Sequence, residues 1–439
     1  MHVCRRWREL VFASPRRLNL RIPCTRRNLV VKNLGIWPAV PIDVDDNDLQ
    51  WNITQDDNIL AALKHVDRVY HVRLSLSDLQ ALKMATAMQE PFPVLTRLFL
   101  TSEWDDDAPT PSLPANFLGG SVPRLQAIGL CSISYPALPT LLLSASDLVK
   151  LDLKNIPLTG LISPEAIVAP LAALPKLEIF VMEFARHAYY YDRDRVVGRP
   201  PITRTILPAL AYFVFRGGCK YLEDLVGRID GPRLNHISIT TPYRPVGFQV
   251  AQLSRFIDQS VGPELAQWRN AEVSFSYYRV DFHFFHRPDD SGQDRTTVIS
   301  YKPIHWGDTQ VLSQLPVTLS NVVHLQITSS PDINVRADQV DLSIPFFQLI
   351  RQFPAMQTLL IDSRLSWFAA SILGHTPEVM MIEAFPSLEL LCLEECYYQH
   401  SLRVDKFVAA RRHSDHPVTI VNTNKEFRKI LESYISKNG

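Results

Sequence analysis

Several groups of residues in this chain have types that could do chemistry. Cys392, Cys396 and His400 stand as C-x3-C-x3-H, a spacing that resembles a zinc site. A structural zinc takes four ligands, however, and Cys392 lies between Leu391 and Leu393 in an apolar strand pattern that already fixes its direction. His283 and His286 fall in an alternating run, where residues three apart point to opposite faces and cannot share an ion. His413, Ser414, Asp415 and His416 have the residue types of a hydrolytic triad, but a working triad draws nucleophile, base and orienting group from separate segments. The 16 glycines include the pairs Gly119–Gly120 and Gly217–Gly218, yet none forms a phosphate-cradling G-x-x-x-x-G-K or G-x-G-x-x-G pattern. The expectation is a chain that is not an enzyme, with no metal and no cofactor.

Charge is the second chemistry available. Lys plus Arg and Asp plus Glu both number 45, so no global field draws the chain to nucleic acid or anionic lipid. The distribution is uneven: Arg5 to Lys32 is almost wholly basic, while Asp43, Asp45, Asp46, Asp48, Asp56 and Asp57 form an acidic block. A solvated linker is the favoured reading of the blocks, with intramolecular pairing of basic and acidic block, or contact with partners, as the alternatives. The basic stretch reads as an amphipathic helix with Val3, Cys4, Trp7, Leu10 and Val11 along one side and arginines along the other, and nucleic acid is not expected as a partner. Leu125 to Ser146 carries no charge and matches a membrane span in length, but Pro136, Pro139 and several serines argue for a strand, a loop and a short helix instead. Six scattered cysteines suit a reducing compartment, and the N-terminal charges are followed by no apolar leader. The expected location is intracellular, cytoplasmic or nuclear.

The elements that would position any site come from a recurring L-x-x-L-x-L pattern. Its copies include Val69, Val72, Leu74; Leu95, Leu98, Leu100; Leu125, Ile128, Leu130; Leu148, Leu151, Leu153; Leu177, Phe180, Met182; and Leu210, Phe213, Phe215. Further copies end at Ile239, Ile327, Ile361 and Leu393. Consecutive copies lie roughly 23 to 34 residues apart, and stacking such units hides their apolar faces. Between copies, stretches such as Leu79 to Met88, Pro164 to Leu174 and Tyr221 to Ile229 have helical spacing. Alternation at Val280, Phe282 and Phe284, a turn signal at Pro288 to Gly292 and a run from Thr297 to Tyr301 predict a β-hairpin. Asn424 to Ile435 has the spacing of a closing amphipathic helix. The expected fold class is α/β, an irregular leucine-rich-repeat solenoid or horseshoe with a short N-terminal helical segment and a C-terminal cap.

Val3, Cys4, Arg5, Arg6, Trp7, Arg8, Glu9, Leu10 and Val11 resemble the end of an F-box, whose closing helix carries V-C-x-x-W-x-x-L. Joined to the repeats, this resembles the fungal F-box and leucine-rich-repeat proteins. The family's first F-box helices, with their L-P-x-E start, have no counterpart before Val3. The resemblance implies residues 1–20 as a partial F-box, 21–60 as a linker, 61–400 as the repeats and 401–439 as a cap. It also implies a substrate-recognition subunit of a Skp–cullin–F-box ubiquitin ligase. Val3, Cys4, Trp7, Leu10 and Val11 would then face the Skp adaptor, and an unidentified target protein would lie on the repeats. The alternative is a protein-binding scaffold that lacks a working F-box and joins no ligase. For the target-binding face, strand positions between core residues are the candidates: Arg73, Arg97, Phe99, Lys150, Asp152, Lys154, Tyr212, Arg216, His236 and Glu272.

Overall fold

The structure is a computed structural model. It describes residues 4–7, 9, 21–25, 34, 40–46, 56–102, 110–188, 203–241, 251–260, 269–276, 280–286, 295–301, 318–330, 348–366, 369, 373, 385–394, 398–413 and 416–421. They divide into two compact units, Met1–Arg233 and Leu234–Gly439.

In the first unit the apolar pattern builds a parallel sheet whose strands follow chain order: β1 (Ile22–Cys24), β2 (Ile42–Asp46), β3 (Val69–Leu76), β4 (Arg97–Ser102), β5 (Ala127–Cys131), β6 (Lys150–Ile156) and β7 (Ile179–Phe184). A short strand β8 (Thr205–Ile206) leaves this sheet, β9 (Tyr212–Arg216) continues it beside β7, and β10 (Ile229–Asp230) pairs with β8 in a separate two-stranded sheet. Register lines up the motif positions. Val72, Leu98, Ile128, Leu151, Phe180 and Phe213 form one row, and Leu74, Leu100, Leu130, Leu153, Met182 and Phe215 form the next. None of these twelve is more than 4% exposed, so the two rows are the floor of the core. The first leucine of each copy, at Leu95, Leu125, Leu148, Leu177 and Leu210, closes a turn by donating its N–H to the carbonyl three residues earlier. That turn aims the following strand into the sheet.

Helices return the chain between strands. Asp56–Leu63 (α1) and Asp78–Ala87 (α2) are tied together by Gln80 Nε2, which donates to Asp56 Oδ1 at 3.0 Å, while Gln80 Oε1 accepts the Ser77 N–H at the start of α2. Leu138–Leu142 (α3) is short, and the described part of the return between β4 and β5 contains a 3-10 turn at Phe117–Gly120. Pro164–Leu171 (α4) begins with Ser163 Oγ accepting the Ala166 N–H, with proline at its first position. Cys219–Val226 (α5) links β9 to β10.

The second unit contains β11 (His236–Thr241), helix α6 (Ala251–Ser260), and strands β12 (Asn270–Phe275), β13 (Val280–His286), β14 (Arg295–Tyr301), β15 (His324–Ser329), β16 (Thr358–Ile361) and β17 (Leu390–Leu393). Helix α7 (Tyr398–His413) and β18 (Thr419–Val421) end the described chain. The predicted hairpin forms, with β13 antiparallel to β14. Its consequence for topology is larger than the sequence suggests. β12 is antiparallel to β13 but parallel to β15, and β14 is parallel to β11, giving the order β11-β14-β13-β12-β15-β16-β17-β18. Arg411 of α7 is 1% exposed. Its guanidinium donates to the Phe385 carbonyl at 2.7 Å and the Leu388 carbonyl at 2.9 Å, pinning the helix to the turn before β17.

The leucine-rich-repeat horseshoe is therefore corrected to an α/β arrangement of a large parallel sheet and a mixed sheet in two units. A repeat horseshoe requires one parallel strand per unit throughout. Here an antiparallel strand interrupts the order, a second small sheet branches off, and the described returns include both 3-10 turns and helices of differing length. The segments read as linker also differ, since Ile22–Cys24 and Ile42–Asp46 are strands. Aspartates at Asp43 and Asp45 alternate with buried Ile42 and Val44, which is strand periodicity hidden under acidic composition. At the N-terminus, Arg5, Arg6, Trp7 and Glu9 are helical, whereas Val3, Leu10 and Val11 lie outside the described residues. The expected helix at 424–435 and the loop at 189–201 also lie outside them.

Candidate functional site

Positions between the core rows of the first unit line the opposite face of its parallel sheet. Registers bring Asp43, His71, Arg97, Ala127 and Lys150 into one row. The adjacent row contains Asp45, Arg73, Phe99, Gly129 and Asp152. A register shift between Ile42 and Asp43 brings His71, rather than Tyr70, opposite Asp43.

Phe99 is the centre of this surface. A Cβ built on Gly129 would lie 2.5 Å from Phe99 Cδ1, so the ring fills the space that the missing side chain leaves on the neighbouring strand. The Arg73 guanidinium lies 5.4 Å and Lys150 Nζ 5.8 Å from the ring centroid, both within cation–π range. The His71 ring meets Phe99 edge-on at 6.3 Å.

Carboxylates hold the cations in place. Asp45 pairs with Arg73 at 3.7 Å, and Asp152 receives Lys150 at 3.0 Å and Lys154 at 3.3 Å. Asp43 accepts from His71 Nδ1 at 2.7 Å and pairs with Arg21 at 3.4 Å. Burial alone would raise the Asp43 carboxyl, but the hydrogen bonds and charges of His71 and Arg21 outweigh it and hold the group below its ordinary value. The Arg73–Asp45 pair is exposed and contributes at most about 1 kcal/mol, whereas His71 and Asp152 are buried; in each case the pairing fixes where the cation stands.

Of the sequence candidates, Arg73, Arg97, Phe99, Lys150, Asp152 and Lys154 come together on this face. Tyr212 and Arg216 lie further along the same sheet on β9, Arg216 opposite Glu183. His236 and Glu272 belong to the second unit, where Glu272 Oε1 accepts from Thr328 and burial lowers the His236 pKa. Sequence reasoning missed Asp43, Asp45, His71, Gly129 and Arg21. The alternation of Ile42 and Val44 could have found the aspartates, and the lone glycine between Ile128 and Leu130 marks the gap that Phe99 covers.

The N-terminal candidates have a different setting. Cys4 is exposed and Trp7 is 64% exposed, so neither joins the apolar core of the first unit. The cysteines offer no activated nucleophile among those whose pKa moves: burial pushes the Cys131 thiol up despite Ser132 and Lys154 beside it, and pushes Cys392 up to about 11. Of the C-x3-C-x3-H set, Cys396 lies outside the described residues, as does the side chain of His400. Among the described residues no group of three His, Cys, Asp or Glu is placed to hold a metal ion, and no helix is long and apolar enough to cross a membrane.

No protein-family model matches the chain, and no curated protein matches it significantly.

Proposed function

We propose that this chain is a non-catalytic recognition subunit that holds a target protein on the strand face around Phe99. The observation that carries the reading is the setting of that ring, seated over Gly129 with Arg73 and Lys150 beside it. Aromatic and arginine anchors held in place by their neighbours are the groups that dominate protein interfaces.

We further propose, on the likeness of Val3 to Val11 to the end of an F-box, that the target is delivered to a Skp–cullin–F-box ubiquitin ligase. The exposed Trp7 would be a contact to the Skp adaptor. The same exposure supports a second reading, a binding scaffold that joins no ligase, because the tryptophan of a closing F-box helix is expected to pack. A pull-down of purified Skp adaptor with the full chain separates the two. The ligase reading expects retention that Trp7→Ala abolishes; no retention by the parent chain leaves the scaffold.

A further inference from the structure

We infer that the segment this face takes from its partner is acidic, with an apolar side chain next to its carboxylates. The inference rests on the proposed target-binding role of the face and adds the chemistry of the occupant.

The balance of charge on the face is the first argument. From β1 to β6 the described face carries Arg21, Arg73, Arg97, Lys150 and Lys154 against Asp43, Asp45 and Asp152. Each carboxylate is already engaged, and two of the three are shared: Asp43 serves both Arg21 and His71, and Asp152 serves both lysines. Among the described residues no carboxylate pairs with Arg97, whose register neighbours are His71 and Ala127. The described face from β1 to β6 therefore has cationic capacity beyond what its own acids neutralise, and an incoming anion meets a net attraction there.

Geometry supplies the second argument. Arg97 and Phe99 are two residues apart on β4 and share a face, so the cation and the ring stand side by side. Arg73 and Lys150 reach the same ring from strands on either side of β4. An extended peptide that sets an apolar side chain on the ring brings its neighbouring carboxylates among these three cations. A basic segment would instead add to the cationic excess of the described face, and a neutral one would leave Arg97 without a counter-ion among the described residues.

The test uses the full chain and three labelled synthetic peptides with the same Leu-Phe centre, flanked by Glu, by Gln or by Lys. Binding is followed by fluorescence anisotropy at low and at moderate salt. The Glu-flanked peptide should bind about tenfold or more tighter than the Gln-flanked one, and Arg97→Glu and Lys150→Glu should each weaken it by about tenfold. Phe99→Ala should weaken every peptide that binds. Both reversals alter solvent-accessible side chains, and an unchanged circular dichroism spectrum shows that the variants are folded. If the Gln- or Lys-flanked peptide binds as tightly as the Glu-flanked one and still depends on Phe99, the acidic occupant is overturned while the binding face stands. If no peptide shows binding that depends on Phe99, the face itself is overturned along with its occupant.

Discussion

The two units begin from the same apolar pattern and use it differently. In the first, successive copies lie side by side in chain order, so residues between the core positions align across many strands and bring charges from distant segments together. In the second, β13 and β14 are inserted between β12 and β11, so the rows continue but take in strands out of chain order, one of them antiparallel to its neighbours. Glu272, for example, lies opposite His283 on one side and Gln326 on the other, and is engaged by Thr328. The comparison teaches that a repeated apolar motif determines which side chains are buried, whereas the composition of the opposite face depends on strand order.

Core substitutions test the shared part of that comparison and carry the largest expected effects. Phe180 and Phe282 are each no more than 1% exposed, one in each unit. Phe180→Ala and Phe282→Ala should each cost about 3–5 kcal/mol in denaturant unfolding. A loss of less than about 1 kcal/mol at Phe282 would show that the mixed sheet does not depend on its apolar row as the parallel one does. Arg411→Met should cost somewhat less, about 2–4 kcal/mol, because two buried carbonyls lose a charged donor while methionine restores the volume.

A smaller effect isolates the face itself. Gly129→Ala places a methyl where Phe99 now lies, and the ring must move because the contact would be 2.5 Å. The expected cost is about 1–3 kcal/mol by overpacking. Phe99→Ala should remove most of that penalty, so a double-mutant cycle over the two positions should show coupling of at least about 0.5 kcal/mol. Additive effects would mean that the ring does not sit on the glycine, and the face would lose its centre.

How much of this was legible in the sequence follows from the same physics. The buried rows were, because Leu98 and Leu100, or Leu151 and Leu153, announce one face of a strand by period two. Arg73, Phe99 and Lys150 followed as the residues between them. The pairing of Asp43 with His71 and Arg21 was not legible, because it depends on a register shift between β2 and β3 and on two strands whose aspartates and proline resemble linker composition. The strand order around the hairpin was hidden for a related reason: local alternation identifies β13 and β14 as strands but carries no information about which neighbour each selects.

The slightest expected effect concerns the rim of the face, where Asp43 joins His71 and Arg21. Its folded carboxyl is held below the ordinary 3.8, so its contribution to stability is present above that value and is lost as pH falls through the lower folded value. The folded state thus resists protonation at this group. Asp43→Asn removes the titrating group and leaves an acceptor for His71. The parent chain should be the more stable of the two near neutral pH, and the gap should narrow as pH drops below about 3.8. Unfolding midpoints of both proteins across that range measure the gap. A difference that stays constant down to the lowest pH would mean that the His71–Asp43–Arg21 contact carries no charge-dependent stability, and that the edge of the first unit's sheet is held by β1 and β2 backbone pairing alone.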